Sequence, residues 1–111
     1  MTEIPFGVEN DTTPGDATLQ YEPPRFGRVR VTVRAGERRT GGHAIRVLNV
    51  RRDGPKLIVR CELSAPAEGA FVTQVLTAPA QTVSVDERAV RGVREAVLVD
   101  VAGAERARIT A

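Results

Sequence analysis

The chain has 111 residues, of which 41% are apolar and 27% charged, and its formal net charge is +2. These values are typical of one soluble globular domain, and no apolar run approaches the eighteen residues that a membrane-spanning segment needs. The single cysteine, Cys61, excludes a disulfide framework and a cysteine metal site. The opening residues MTEIPFGVENDT lack a basic segment followed by an apolar one. We therefore expect a cytoplasmic protein, or an exported one if a signal was trimmed.

Residues 1–24 are rich in proline, glycine, asparagine and aspartate, which break regular structure. They predict an irregular N-terminal arm with room for one short strand at residues 17–21. Residues 25–111 are then expected to form a single all-β domain.

Residues 28–34, RVRVTVR, alternate without a flaw. The three valines fall on one face, and three arginines and Thr32 fall on the other. This period of two predicts a half-buried strand. The arginines, with those of the following hairpin, predict a basic sheet face that is either solvated or turned toward an acidic protein surface.

Residues 44–52 predict the next strand, whose alternation slips between Val47 and Leu48. Such a slip indicates burial on both faces or a β-bulge. The turn signal at residues 53–55, Asp-Gly-Pro, then leads into a return strand at residues 56–64. Its inward face carries Leu57, Val59, Cys61 and Leu63.

The remaining chain predicts strands at residues 71–77, 81–86 and 95–101, and a further one at 104–109. Residues 87–94 have the composition of one helical turn broken at Gly92. No stretch keeps a helical period over ten residues. The pattern therefore predicts a small β-sandwich or open barrel of about 6–8 mostly antiparallel strands, with little or no helix.

Two consecutive glycines and the only histidine lie between two predicted strands, in what we call the TGGH loop (residues 39–43). A phosphate-binding loop would open onto a helix, but a strand follows here. A catalytic histidine needs a paired nucleophile, and Cys61 is predicted to face inward. One histidine and one thiol are too few for a metal site. We predict no catalytic residue, no cofactor and no metal, and a loop that either turns the chain or contacts a protein.

A nucleic-acid partner is not expected. A net charge of +2 is too small for the electrostatic attraction that nonspecific binding requires. The arginine-bearing strand also lacks the interleaved aromatic residues that stack on single-stranded bases.

Residues 29–85 resemble the C-terminal domain of the PrcB family of protease-complex-associated proteins. That family has a strand, the pattern G-x-x-x-T-G-G-Y-x-I, a hairpin, a proline-containing loop, and a final strand after an S-P or A-P pair. The matching residues are Gly36, Thr40, Gly41, Gly42, Ile45, Pro66, Thr77, Ala78, Pro79 and Val83. His43 stands where the family usually has tyrosine. The resemblance implies a non-enzymatic all-β domain that binds or stabilises a partner protease.

A fainter similarity links the TGGH loop to the T-T-G-Y loop of chagasin-type cysteine-protease inhibitors, although the other two loops of that family have no clear counterpart. A structural homodimer is a third alternative, because long valine-rich strands leave edges that must be paired or protected. The predicted partner-binding residues are Arg28, Arg30, Arg39, Thr40, Gly41, Gly42 and His43.

Overall fold

The computed structural model describes all 111 residues and confirms the all-β prediction. The only helical segment is a 3-10 helix at Glu87–Val90. The strands are β1 Thr2–Ile4, β2 Gly7–Val8, β3 Leu19–Tyr21, β4 Arg28–Arg34, β5 Ala44–Asp53, β6 Lys56–Ser64, β7 Ala80–Asp86, β8 Glu95–Val99 and β9 Glu105–Thr110.

The strands form two sheets, one in the order β1-β5-β6-β8-β9 and one in the order β2-β7-β4-β3. Every pair is antiparallel except β6 and β8. Inward side chains of both sheets meet in one apolar core, so the molecule is a β-sandwich. Its fully buried valines come from both sheets: Val29, Val31, Val33, Val50, Val59, Val83 and Val85.

The central predictions are confirmed. Strand β4 covers the predicted residues, and β5 and β6 form the predicted hairpin around a Gly54-Pro55 turn. The pairing register shifts between Val47 and Asn49, which places the expected bulge at Leu48. The last two strands and the helical turn after β7 also lie where the sequence indicates, within a few residues.

The predicted strand at residues 71–77 is wrong. This segment has no strand, and Thr77 alone forms an isolated bridge, to Arg38. Phe71 is fully exposed, and Leu76 is 71% exposed. The β-favouring residues are present, but the chain meets its neighbour only at separated points, so no continuous ladder forms.

The prediction for the N-terminal arm is confirmed in one part and wrong in another: the short strand expected at residues 17–21 is present as β3, but the rest of the arm is not irregular. Residues 1–24 contribute β1 to the first sheet and β2 and β3 to the second. The chain crosses between the sheets at residues 5 and 6, and Ile4 and Leu19 are buried in the core. Strands of two or three residues are too short to display a period in the sequence.

The outward face of β4 is not a solvated face, because residues 11–18 pass over it. Arg34 is only 7% exposed and donates hydrogen bonds to the carbonyl oxygens of Ala17 (2.9 Å) and Thr13 (2.7 Å). The Thr32 hydroxyl is buried 2.8 Å from that of Thr82, on the neighbouring strand. The Arg34 bonds, and a 3.2 Å bond from the Thr82 hydroxyl to that of Thr12, join the arm to the second sheet.

The arginines do not merge into one basic face. Strand β4 belongs to the second sheet and the β5–β6 hairpin to the first, so their outward side chains point to opposite sides of the sandwich. On the hairpin, Arg46 forms an ion pair with Glu62 at 3.1 Å. The predicted basic sheet face is therefore divided between two surfaces.

Candidate functional site

Two long connections cross between the sheets at the same end of the sandwich. The β4–β5 loop (residues 35–43) leads from the second sheet to the first, and the β6–β7 loop (residues 65–79) leads back. Arg34 pairs with Ala80, and Ala44 pairs with Ser64, so both loops start and finish at this end. The TGGH loop is the second half of the β4–β5 loop.

Backbone hydrogen bonds tie the two loops together. The Ala35 amide donates to the Pro79 carbonyl at 2.9 Å, and Arg38 and Thr77 exchange two bonds of 2.8 Å. The Gly41 amide donates to the Thr73 carbonyl at 3.0 Å. The β4–β7 pairing thus continues past the sheet as an irregular ribbon, which we call the loop ribbon (residues 35–41 and 73–79).

Both glycines lie where the two loops approach each other closely. A Cβ atom on Gly41 would lie 2.5 Å from the Thr73 hydroxyl oxygen, and one on Gly42 would lie 2.8 Å from Cγ of Pro66. Gly42 also has φ +84°, a conformation that side-chain-bearing residues avoid. The β6–β7 loop therefore packs directly against the backbone of the two glycines, with Thr73 against Gly41 and Pro66 against Gly42.

His43 takes part in the same local network. Its Nε2 atom lies 3.2 Å from the Thr40 hydroxyl, and the Thr77 hydroxyl donates to the Thr40 carbonyl at 3.0 Å. The histidine is half-buried, and its hydrogen-bonding partner is a loop hydroxyl. This arrangement fixes the shape of the loop.

The β6–β7 loop carries the apolar surface of this end. An Ala70 amide bond to the Ala67 carbonyl (3.0 Å) closes a turn, directly after which Phe71 projects into solvent. Val75 is 52% and Leu76 71% exposed, and residues 69–80 contain no charged side chain. Large exposed apolar groups that share one segment are typical of interaction sites.

These apolar residues were missed in the sequence-based prediction of the site. The apolar residues of this segment fall at positions 71, 72, 75 and 76, which is not the alternation of a half-buried strand. Pro66 and Pro79 near the two ends of the segment, and the turn-forming pair Glu68-Gly69, also indicate a loop rather than a strand.

A cleft of about 310 Å³ opens beside the loop ribbon, with Ile45, Cys61 and Leu98 among its lining residues and Arg38 and Arg106 among the polar ones. Burial raises the pKa of the Cys61 thiol, which keeps it protonated and poorly nucleophilic at neutral pH. The structure contains no group of three histidine, cysteine or acidic side chains placed to hold a metal ion.

Of the predicted partner-binding residues, the structure brings residues 39–43 together but places Arg28 and Arg30 elsewhere. Arg28 lies at the far end of β4, about 20 Å along the strand from Arg34. It donates to the carbonyl and hydroxyl oxygens of Ser84, both at 2.9 Å. Arg30 donates to the Asp11 carbonyl at 2.9 Å. Both guanidinium groups therefore bind within their own chain.

Comparison with known proteins identifies a family for part of the chain. No helix has the length and apolar character that crossing a membrane requires. No curated protein and no solved structure matches the chain. The family model described as PrcB C-terminal matches residues 30–86, just over half of the chain, from β4 through the loop ribbon to the end of β7. The chain therefore belongs to the PrcB C-terminal family.

Proposed function

We propose that the chain is a non-enzymatic protein-interaction module that binds or stabilises a partner protease. The supporting observation is the end of the sandwich where two crossing loops are fastened together and expose apolar side chains. Family membership supports the choice of a protease as the partner, because the PrcB family is named for association with a protease complex.

The chemistry of the described residues favours binding over catalysis. The one histidine is hydrogen-bonded to Thr40, and the one thiol is buried and held protonated. A nucleophile needs an adjacent base to act at neutral pH. This end does offer exposed apolar side chains on a constrained backbone, and aromatic side chains such as that of Phe71 are enriched in the cores of protein interfaces.

The proposed contact surface comprises the TGGH loop and the β6–β7 loop. Arg39 and Gly42 are exposed at this end, whereas Thr40, Gly41 and His43 are partly covered and hold the loops in place. Arg28 and Arg30 are left out of the surface, because they lie toward the opposite end of β4 and bind groups of their own chain.

The test is capture of a protease by the folded protein. Wild-type protein is compared with Gly42→Arg, which adds bulk and charge to the TGGH loop, and with Gly54→Arg as a matched control. Gly54 also has positive φ (+59°), but it occupies the β5–β6 turn at the other end and has open space around it. Circular dichroism and thermal unfolding verify that each variant is folded.

We expect wild type and Gly54→Arg to retain a protease, identified by its proteolytic activity and by mass spectrometry, and Gly42→Arg to lose it. Failure of the wild-type protein to retain any protease would overturn the proposal. Retention by all three proteins would move the contact surface away from the TGGH loop.

The alternatives from the sequence give different results in solution. A structural homodimer would show a concentration-dependent sedimentation coefficient without any partner. A chagasin-type inhibitor would slow a cysteine protease in a direct activity assay, whereas a stabilising partner would leave the initial rate unchanged and prolong the lifetime of the protease.

A further inference from the structure

We propose that Phe71 is the anchor residue of the interface, inserted into an uncharged apolar pocket of the partner protein, and that the TGGH loop serves to position it. This inference rests on the proposed function and assigns the contact to the β6–β7 loop, which the family resemblance and the sequence both left out of the site.

The exposure of Phe71 has no structural explanation within the chain. Its side chain is fully exposed, directly after the turn at residues 67–70, and it lies outside the core and the residues packed against it. A phenylalanine loses the favourable free energy of burial when it is left in water. Residues that carry most of an interface's binding energy are typically large side chains that fill a desolvated pocket.

The segment around Phe71 is constrained before any partner binds. Five hydrogen bonds join residues 73–79 to residues 35–41: four between backbone groups and one from the Thr77 hydroxyl. Pro66 packs against Gly42 on the other side of the turn. A loop that is held at both ends loses little conformational entropy on binding, which favours its use as an interaction element.

The absence of charge around Phe71 indicates which kind of pocket on the partner could accept it. Residues 69–80 carry no charge, so an occupied pocket would leave no ion unpaired if it were itself apolar and uncharged. The one charge on the turn is the carboxylate of Glu68, which does not suit the anionic surface of a lipid bilayer. Within the β6–β7 loop, the charges therefore favour a protein pocket over an anionic membrane; because Arg39 of the TGGH loop is exposed nearby, the test includes anionic vesicles.

Phe26 provides a matched control. It is also a phenylalanine in a loop and is 93% exposed, but it lies in the turn before β4, at the opposite end. The Arg25 guanidinium stands over its ring, 5.6 Å from the centroid. Exposure alone would make the two residues equivalent, whereas the proposal makes only Phe71 an anchor.

The experiment introduces the photoreactive amino acid benzoylphenylalanine at position 71 or at position 26 of the full chain. Each protein is irradiated in an extract of the cells that produce it, alone in buffer, and with vesicles of zwitterionic or anionic phospholipid. We expect position 71 to form one discrete protein adduct in the extract and position 26 to form none. Mass spectrometry should place the cross-link on apolar, uncharged residues of the partner.

Competition and affinity complete the test. Excess wild-type protein should suppress the adduct, and the same excess of Phe71→Asp should not. With the cross-linked partner purified, Phe71→Asp should weaken binding at least about tenfold, Phe71→Leu less, and Phe26→Asp less than about twofold.

Several results would overturn the inference. These are no adduct at position 71, equal adducts at both positions, suppression by Phe71→Asp, an adduct with a second copy of this chain, or cross-linking to lipid. Loss of binding in Gly42→Arg with full binding in Phe71→Asp would reject the anchor alone and leave the proposed function standing. Absence of any captured protease would reject the proposed function.

Discussion

The Gly41 amide donates a hydrogen bond to the Thr73 carbonyl at 3.0 Å, and a Cβ atom on Gly41 would lie 2.5 Å from the Thr73 hydroxyl oxygen. A side chain at position 41 would therefore force the Thr73 hydroxyl to move. Gly42 tolerates a side chain even less. Its φ is positive, and a Cβ atom on it would lie 2.8 Å from Cγ of the rigid Pro66 ring.

These two glycines are expected to differ in their response to alanine. Gly42→Ala should lower the free energy of unfolding by about 2 kcal/mol, since both its backbone conformation and its neighbour resist a methyl group. Gly41→Ala should cost less than about 1 kcal/mol, because the Thr73 hydroxyl turns away by a side-chain rotation. Urea denaturation measures both values.

A double variant tests whether the Thr73 hydroxyl is what destabilises Gly41→Ala. Gly41→Ala in a Thr73→Ala background should regain the stability of Thr73→Ala alone, because the clashing hydroxyl is gone. If Gly41→Ala lowered the free energy of unfolding more than Gly42→Ala did, this account of how the two glycines pack against the β6–β7 loop would be wrong.

Arg34 is expected to hold residues 11–18 against the second sheet. Arg34→Met keeps much of the buried aliphatic chain but removes both hydrogen bonds to the arm, and it should cost about 2 kcal/mol of unfolding free energy. Limited proteolysis should then cut within residues 11–18 faster than in the wild type. Arg30→Met is the comparison, because Arg30 is more exposed, contacts the segment only at its first residue, Asp11, and otherwise pairs with Glu22 at 3.8 Å. Equal proteolysis of both variants would argue against a special role for Arg34.

The buried hydroxyl pair of Thr32 and Thr82 should show strong coupling. Thr82→Val leaves the Thr32 hydroxyl buried without a partner and also removes the 3.2 Å bond to the Thr12 hydroxyl, so it should lower the free energy of unfolding by about 1–2 kcal/mol. Thr32→Val should cost less, because the Thr82 hydroxyl keeps its bond to Thr12. The double variant should cost clearly less than the sum, because both polar groups are removed together. A double-mutant cycle by denaturant unfolding measures the coupling, and strict additivity would exclude it.

Asp86 is expected to make stability depend on pH on the acid side. The hydrogen bonds from Arg88 lower the pKa of this carboxyl below 3.8, its ordinary value. Since the pKa is lower in the folded state, the stabilisation is complete above the unfolded pKa and is lost as pH falls through the folded one. The carboxyl is exposed, so the effect should be small and should weaken with salt.

The measurement compares the melting temperatures of wild type and Asp86→Asn from pH 7 down to about pH 2. The variant should melt lower at neutral pH, and the two curves should converge in acid. A constant difference across the range would mean that Asp86 acts through something other than its charge.

Local patterns predicted those parts of the fold in which one face of a strand is buried. The alternating valines of β4, and the break in alternation at Leu48, reflect directly which side chains face the core. The outward face of β4 was not predictable in this way, because Arg34 is covered by a segment seventeen residues earlier in the chain. Burial by a distant segment leaves no period in the sequence.

The candidate site was predictable only in part. The TGGH loop was recognised from its two glycines and its family resemblance, but the reason for the glycines lies in Pro66 and Thr73, which no local pattern connects to them. The apolar residues at positions 71–76 were interpreted as a strand, because β-favouring side chains look alike whether they enter a core or face a partner.

The contacts that fasten the β6–β7 loop are unevenly distributed along its length. The fastening points are Pro66 and residues 73–79, and the only bond at residues 67–71 closes their own turn. We therefore expect that the five residues of the tip, 67–71, can be replaced by grafting while the sandwich and its ribbon keep their structure. The proposed contact surface thus combines a fastened ribbon with a tip of five residues that only its own turn holds in shape.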